Sequence, residues 1–339
     1  MPVPTDTLLG DLLKRVSRSF YLSLRILPPG LRAPVSLAYL LARAADTLAD
    51  TPGRPASQRL AQLLSWREQV AGTRPLEALD AGTPASDGEA ALMAALPEAL
   101  DLLQRQQPAD TVDICRVVTT LTDGMRFDLQ YFEQGRAGAP VPLQTLAELS
   151  HYTYLVAGCV GEFWTDIAMR HRPELQAWPR DAMVERGVAY GQALQLTNVL
   201  RDAAEDLGNG RCYLPAELLS KHGLQVADLL DPARRAAARP LLLALSARAL
   251  TGYRAGAEYV LQIPAGSLRL RLASLWPLML GLASLELLLS APGWLDPSVR
   301  VKVTRGAVYR MIVRSIPMSL SDAALRRWID EAMARVAVA

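Results

Sequence analysis

Apolar residues recur at spacings of three and four along most of the chain, the pattern of helices that bury one face. The repeat is clear in "LAYLLARAADTLAD" at 37–50 and in "LAELSHYTYLVAGCVGEFWTDIAM" at 146–169. Ala, Leu and Arg, which are strong helix formers, are abundant, and alternating β-branched stretches are scarce. The pattern therefore predicts an all-α chain.

Clusters of Pro and Gly interrupt the helical pattern at several points. They include "LPPG" at 27–30, "GRAGAPVP" at 135–142 and "GNGRCYLP" at 208–215. We expect Thr145 to cap the helix that begins after the second of these breaks. None of the breaks is long enough to require a domain boundary, so we predict a single helical domain over residues 1–339.

Composition limits the classes of function that the chain can have. Its 339 residues, half of them apolar, can bury a large core. The formal net charge of +2 is too small to indicate nucleic-acid binding, so we expect no nucleic-acid partner. Three scattered cysteines and three scattered histidines have neither zinc-site nor disulfide spacing. A reduced, cytoplasmic setting is the simplest interpretation.

One segment, "LASLWPLMLGLASLELLLS" at 272–290, has nearly the length and apolarity of a membrane span. Pro277 and Glu286 argue against that interpretation, since a charge in lipid costs about 3 kcal/mol. We predict a buried helix and leave peripheral contact with the inner face of a membrane open. We also expect no signal peptide, because the N-terminus lacks a basic start followed by a long apolar core.

Two groups of acids stand at helical spacing within these apolar segments. Asp46 and Asp50 are four residues apart and share a helix face, with Arg43 three residues before them. The second group forms a stripe at intervals of four residues, flanked by Gln195 and Glu205: Asn198, Asp202 and Asp206.

Like charges on one helix face repel each other, and the repulsion grows when the face is buried. Mg²⁺ would offset it, because this ion takes carboxylate, water and phosphate oxygens as ligands. Metal ions held by the two groups would neutralise a departing diphosphate. An acidic pair at this spacing is also common on solvated helix faces, so spacing alone does not decide between the two interpretations.

Four stretches, in order along the chain, carry a resemblance to a known family: "SRSF" at 17–20, "YLLARAADTLAD" at 39–50, "YTYLVAG" at 152–158 and "LQLTNVLRDAAEDLGNGRCYLP" at 194–215. With them the sequence resembles the squalene/phytoene synthases, the head-to-head trans-prenyltransferases, over residues of about 10–320. "SRSF", "RAADT" and "VKVTRG" at 301–306 look most like the squalene synthases of that family.

The resemblance implies an isoprenoid synthase fold with a central apolar cavity between the two aspartate helices. Two molecules of farnesyl diphosphate would bind there and condense to presqualene diphosphate, and a second step with NADPH would give squalene for sterol or hopanoid synthesis. Mg²⁺ and NADPH are the implied cofactors. The chain would then be a farnesyl-diphosphate farnesyltransferase without the C-terminal membrane anchor of the eukaryotic enzymes. The oligomeric state does not follow from the resemblance.

The resemblance also implies roles for individual residues. The metal would be held by Asp46, Asp50, Asn198, Asp202, Glu205 and Asp206. Diphosphate oxygens would be bound by Ser17, Arg18, Ser19, Arg43, Gln195, Asn198, Arg201 and Arg211, since Arg suits phosphate geometry. Tyr152 would accept a proton or stabilise a cation, Phe20 and Tyr39 would shape the cavity, and Lys302 and Arg305 would bind the phosphates of NADPH.

Several alternatives stay open at this point. The chain has Ala49 where squalene synthases often carry an acid and Leu278 where they tend to carry Gln, which bears on the reductive step. A synthase that stops at presqualene diphosphate, or makes dehydrosqualene or phytoene, is therefore a rival. Two further rivals are a non-catalytic scaffold, which should have lost some of the aspartates, and a class I terpene cyclase, which the duplicated acidic pattern and "YTYLVAG" disfavour.

Overall fold

A computed structural model of the chain describes residues 7–17, 20–51, 53–80, 82 and 86–339. The α-helices in this part of the chain are α1 (Leu13–Val16), α2 (Phe20–Ile26), α3 (Arg32–Asp50), α4 (Ala56–Val70), α5 (Asp87–Ala94), α6 (Leu96–Gln104), α7 (Pro108–Tyr131), α8 (Leu146–Thr153), α9 (Cys159–His171), α10 (Arg180–Gly208), α11 (Ala216–Lys221), α12 (Arg239–Gln262), α13 (Leu268–Ser290), α14 (Arg305–Met318) and α15 (Asp322–Val338).

Shorter elements join these helices. Thr7–Leu12 and Tyr154–Gly158 are π-helical, and 3₁₀ turns span Pro29–Leu31, Pro173–Leu175, Val226–Leu229, Arg235–Ala238 and Ala265–Ser267. Two strands of two residues each, β1 (Val141–Pro142) and β2 (Arg211–Cys212), pair in parallel with Val141 opposite Arg211. The prediction of an all-α fold is confirmed.

The chain forms two compact units. The first comprises residues 1–133 and 162–180, and the second comprises residues 134–161 and 181–339. The prediction of a single domain stays a prediction.

In the first unit α3 packs against α4, α6 and α7. Its apolar positions are buried, and the Trp66 indole of α4 donates to the carbonyl oxygen of Leu41 at 3.1 Å. A charged cluster joins α7 to α9: Arg170 donates to Asp110 at 2.7 Å and to Asp113 at 2.5 Å. Both carboxylates are buried, so the guanidinium supplies the charge and hydrogen bonds that make their burial tolerable.

In the second unit α13 is the central helix and packs against α12, α14 and α15. The helical segment Ala265–Ser290 is the one in the described chain that is long and apolar enough to cross a membrane, and 67% of its most apolar window is buried. Trp276 donates to Ser315 of α14 at 2.9 Å, and the buried Arg271 donates to the carbonyl oxygen of Ser319 at 2.8 Å. The prediction of a buried helix is confirmed.

Glycines allow the chain around the π-helical turn to approach α10 closely. A Cβ atom on Gly161 would lie 2.0 Å from the carbonyl oxygen of Gly187, and one on Gly191 would lie 2.4 Å from that of Ala157. On the N-terminal side of this turn Thr145 caps α8 as predicted, with its hydroxyl accepting from the Glu148 amide at 3.1 Å. Helix α8 and the turn are thus fixed against the helix that carries the second acidic stripe.

Candidate active site

The first acidic group lies at the C-terminal end of α3. Arg43 donates to Asp46 at 3.3 Å and to Glu89 of α5 at 2.7 Å, so one guanidinium joins two carboxylates. Asp50 is the last residue of α3 and is exposed. The predicted common face of Arg43 and Asp46 is confirmed by their contact, and Glu89 adds a third acid that the helical spacing did not reveal.

The electrostatic state of Asp46 reflects this crowding of acids. Burial raises the pKa of Asp46 to about 6, more than Arg43 lowers it, and the charges of Asp50 and Glu89 raise it further. Protein atoms crowd this carboxylate and remove part of its hydration. The side chain is nevertheless 40% exposed, so water still reaches it. A cation at this carboxylate would relieve both the repulsion and the desolvation.

Two residues predicted to surround the first acidic group, Tyr39 and Ser17, donate their hydroxyl protons to backbone carbonyl oxygens. The Tyr39 hydroxyl donates to the carbonyl oxygen of Val16 at 3.3 Å, and burial raises its pKa. Ser17 is buried and its hydroxyl donates to the carbonyl oxygen of Leu13, so its proton is held by the backbone in this state. The side chain of Phe20, with Arg18 and Ser19, lies outside the described residues.

Ala49, where the resemblance led us to expect an acid, has a structural explanation. Its side chain is buried, while its carbonyl oxygen accepts a hydrogen bond from Arg59 of α4 at 2.6 Å. A carboxylate at this buried position would lose its hydration, which is costly. The small residue suits the packing of α3 against α4.

The second acidic group lies at the C-terminal end of α10. Arg201 binds its neighbour Asp202 through two hydrogen bonds, at 2.8 and 2.6 Å. One turn later Asp206 lies 3.2 Å from Arg211, which β2 provides. The short parallel pairing of β1 and β2 thus holds a guanidinium at the last carboxylate of the stripe.

Asp206 is in the same electrostatic state as Asp46. Burial raises its pKa to about 6, which outweighs the lowering by Arg211, and the charges of Asp202 and Glu205 raise it further. Glu205 itself is exposed. At the other end of the stripe the amide of Asn198 donates to Gln195 at 3.4 Å, as the one-turn spacing predicts.

Tyr152 is the predicted catalytic tyrosine and is buried near the end of α8, two residues before the π-helical turn. Its ring stacks on Tyr213 with centroids 4.7 Å apart and an interplanar angle of 24°. Beside it Gln192 of α10 donates to the carbonyl oxygen of Ser150 at 2.9 Å. The contact between Gln192 and Ser150 fixes α8 on α10. Tyr152 also lies close to a π-helical turn, a feature that often occurs at functional sites.

Lys302 and Arg305, predicted to bind cofactor phosphates, are both exposed. Arg305 is the first residue of α14, and the preceding Thr304 caps the helix by accepting from the Ala307 amide at 3.2 Å. Two positively charged side chains beside the positive N-terminal end of a helix would attract negatively charged phosphate oxygens. Their role as cofactor ligands stays a prediction.

The donor atoms at both acidic groups suit a hard divalent cation, since all are oxygens. Among the residues that the structure describes, no three His, Cys, Asp or Glu side chains form a metal site by themselves. Mg²⁺ does not require such a cage, because it is usually held by one or two carboxylates together with water and substrate phosphate oxygens. In each group separately, the crowded carboxylates, with the raised pKa of Asp46 in the first and of Asp206 in the second, fit an ion completed by a diphosphate.

Sequence reasoning missed two residues at these groups. Glu89 comes from a different helix, and the only local signal was "SDGE" at 86–89, which indicates a helix cap rather than a partner of Arg43. Tyr213 stands inside the stretch 194–215, but helical spacing does not connect it with Tyr152.

Comparison with known proteins gives one family. The family model described as squalene/phytoene synthase matches residues 13–307. A presqualene diphosphate synthase of Zymomonas mobilis is 30% identical over 306 residues, which cover 88% of this chain and 89% of the relative. A 15-cis-phytoene synthase of Synechocystis is 32% identical over 224 residues, which cover 63% of this chain and 57% of that enzyme.

Among solved structures, the complex of TcSQS with the ligand E5700 resembles this chain with a TM-score of 0.81. The match covers 99% of this chain and 92% of the other at 24% sequence identity. This similarity concerns the fold and confirms the predicted isoprenoid synthase architecture.

Proposed function

We propose that this chain, which belongs to the squalene/phytoene synthase family, is a squalene synthase that condenses two farnesyl diphosphates through presqualene diphosphate. Members of the family are prenyltransferases that condense prenyl diphosphates and use a divalent metal to bind the diphosphate. The observation that carries the proposal is that both acidic groups are present, each beside arginine and each containing a carboxylate whose pKa is raised to about 6.

The carboxylates hold the metal in this proposal. Asp46 and Asp50 at the end of α3, and Asp202 and Asp206 at the end of α10, supply the negatively charged oxygens, with Asn198 and Glu205 as further oxygen donors. Mg²⁺, when bound, supplies positive charge that stabilises the departing diphosphate. Because a carboxylate ligates metal in its charged form, Asp46 and Asp206 must lose their protons before the ion binds.

The arginines keep the charged carboxylates stable before substrate arrives. Arg43 joins Asp46 to Glu89, Arg201 holds Asp202, and Arg211 lies at Asp206. A guanidinium stays charged at any pH the protein meets and has five N–H donors, so the same group can bind a carboxylate and a phosphate oxygen together. We assign Arg43, Arg201 and Arg211 to the diphosphate groups on this basis.

Tyr152 is the aromatic side chain that we assign to carbocation stabilisation. Its ring is buried and stacked on Tyr213, and π faces stabilise cations in surroundings that exclude water. A phenol can also accept or pass on the proton that is lost when the cyclopropane ring of presqualene diphosphate closes. We assign Tyr152 to this step.

The reductive step requires a hydride, which NADPH supplies when it is bound. Lys302 and Arg305 at the start of α14 are the residues we assign to its phosphates, on the strength of their charge and their place at a helix N-terminus. A relative whose match covers 88% of this chain is named for presqualene diphosphate. Synthesis that ends at presqualene diphosphate is therefore the rival outcome.

Product analysis tests the proposal. The protein is incubated with farnesyl diphosphate and Mg²⁺, with and without NADPH, and the products are identified by mass spectrometry. We expect presqualene diphosphate without NADPH and squalene with it. Formation of presqualene diphosphate under both conditions would show that the protein does not catalyse the reductive step. Turnover of geranylgeranyl diphosphate but not of farnesyl diphosphate would indicate a phytoene synthase. No turnover of either substrate would overturn the proposal.

A further inference from the structure

Helix α14 presents an exposed apolar stripe that the proposed chemistry does not use. We define the stripe by four side chains: Tyr309 at 66% exposure, Val313 at 69%, Ile316 at 46% and Leu320 at 60%. Their spacings of four, three and four residues place them on one face of the helix and the turn that follows it. The opposite face, with the buried Ser315, packs on α13 and α15.

The chain segment that carries the stripe is basic. Residues 297–321 contain five basic residues and no acid: Arg300, Lys302, Arg305, Arg310 and Arg314. Arg314 lies over the Trp328 ring at 5.1 Å and 3.4 Å from Glu331, so it is engaged within the protein. The other four are exposed, and no ion pair in the described part of the chain includes them.

We propose that α14 docks the protein on an anionic lipid surface, with the stripe in the acyl boundary and Arg300 and Arg310 at the head groups. An exposed helix with an apolar stripe and flanking Lys and Arg lies in the plane of such an interface. Anionic head groups attract each nearby cation, and the attraction is screened by salt.

A second copy of the chain is the competing occupant of this surface. A symmetric dimer would place the same patch of each chain against the other. That arrangement would bring two acid-free basic segments together, and like charges at an interface disfavour it. A negatively charged surface of lipid is complementary to the segment, whereas another copy of the segment is not.

The stripe is distinct from the apolar helix that the sequence singled out as a membrane candidate. Most of α13 is buried against its neighbours, so it is not available to lipid without unfolding. The α14 side chains are already exposed in the folded chain and require no rearrangement to reach an interface.

Vesicle sedimentation at low ionic strength tests the inference with the whole 339-residue chain. We expect the wild type to sediment with vesicles of phosphatidylcholine and phosphatidylglycerol in equal parts, and to sediment weakly with phosphatidylcholine alone. The double variant Tyr309→Ser/Val313→Ser should bind the anionic vesicles more weakly by about tenfold, because the apolar contact area is lost. Arg300→Gln/Arg310→Gln should weaken binding by about fivefold for each arginine, and added salt should remove this difference.

The matched control is Val112→Ser in α7 of the first unit, which removes a valine that is 62% exposed and lies outside the stripe. It should bind vesicles like the wild type. Circular dichroism and light scattering of every variant establish folding and oligomeric state. Three results would overturn the inference: no binding of wild type to anionic vesicles, equal binding of wild type and both double variants, or a wild-type dimer that Val313→Ser dissociates without any vesicle binding.

Discussion

The guanidinium of Arg211 lies 3.2 Å from Oδ1 of Asp206, so β2 returns a positive charge to the last carboxylate of the α10 stripe. Even with this partner the pKa of Asp206 is raised to about 6, because burial and the charges of Asp202 and Glu205 outweigh the arginine. The folded chain therefore holds a charged Asp206 at a cost in stability when no cation is bound.

Asp206→Asn should stabilise the metal-free protein at neutral pH. The folded state binds the proton of Asp206 more tightly than the unfolded state, so stability falls as pH rises from 3.8 to about 6. That net shift, which already includes the lowering by Arg211, corresponds to an expected gain of about 3 kcal/mol. Urea unfolding of the wild type and Asp206→Asn at pH 7 and pH 4 measures this difference in the free energy of unfolding.

The gain should vanish near pH 4, where Asp206 is protonated in the folded state. Asp101→Asn is the control, because Asp101 is an exposed acid paired with Arg105 at 2.7 Å and should change stability by about 0.5 kcal/mol or less. A loss of stability at pH 7 in Asp206→Asn, with Asp101→Asn unchanged, would contradict the account of this carboxylate.

Turnover should decline as pH falls through about 6. Asp46 and Asp206 both have pKa values raised to about 6, and each must be charged to ligate a cation. Protons and Mg²⁺ compete for the same oxygens, so raising the Mg²⁺ concentration should move the acid limb to lower pH. Diphosphate release across the pH range at two Mg²⁺ concentrations measures this, and an acid limb that does not move with Mg²⁺ would argue against metal ligation by these groups.

Gly161→Ala should destabilise the chain by about 2–3 kcal/mol, because the added Cβ would lie 2.0 Å from the carbonyl oxygen of Gly187 and force the backbone at Gly161 away from α10. Gly208→Ala is the control at the end of α10, where a Cβ meets no atom within 4 Å, and should gain up to about 1 kcal/mol. Thermal unfolding compares the two. Equal melting temperatures would mean that the close approach at Gly161 is not required.

Arg170→Ala should cost about 3–5 kcal/mol, because it leaves the buried carboxylates of Asp110 and Asp113 without their main cation. Arg105→Ala, which breaks an exposed pair with Asp101, should cost about 1 kcal/mol or less. Denaturant unfolding gives both values. A similar small cost for the two substitutions would show that the α7 to α9 charge cluster contributes little.

The sequence predicted well what depends on contacts between near neighbours. The helical class, the cap at Thr145 and the contact of Arg43 with Asp46 follow from spacings of three and four residues, and the structure confirms them. A buried helix at 272–290 was predicted because Pro277 and Glu286 argue against a membrane span, and the structure buries most of the segment.

Contacts between distant segments were beyond such reasoning. Glu89 reaches Arg43 from 46 residues away, and Tyr213 stacks on Tyr152 across 61 positions. The charged cluster around Arg170 was missed for the same reason, since its partners lie about 60 residues earlier on α7. Local periodicity carries no information on which helices pack together, so these partners required the fold.

The most direct measurement of the central claim is diphosphate release from farnesyl diphosphate with Mg²⁺ by the wild type, Asp46→Asn and Asp202→Asn, with Asp101→Asn as the control. If the two acidic groups hold the metal for ionisation, each of the first two variants should lose turnover by about 100-fold or more while remaining folded, and the control should keep it. Near-wild-type turnover in both Asp46→Asn and Asp202→Asn would contradict the claim.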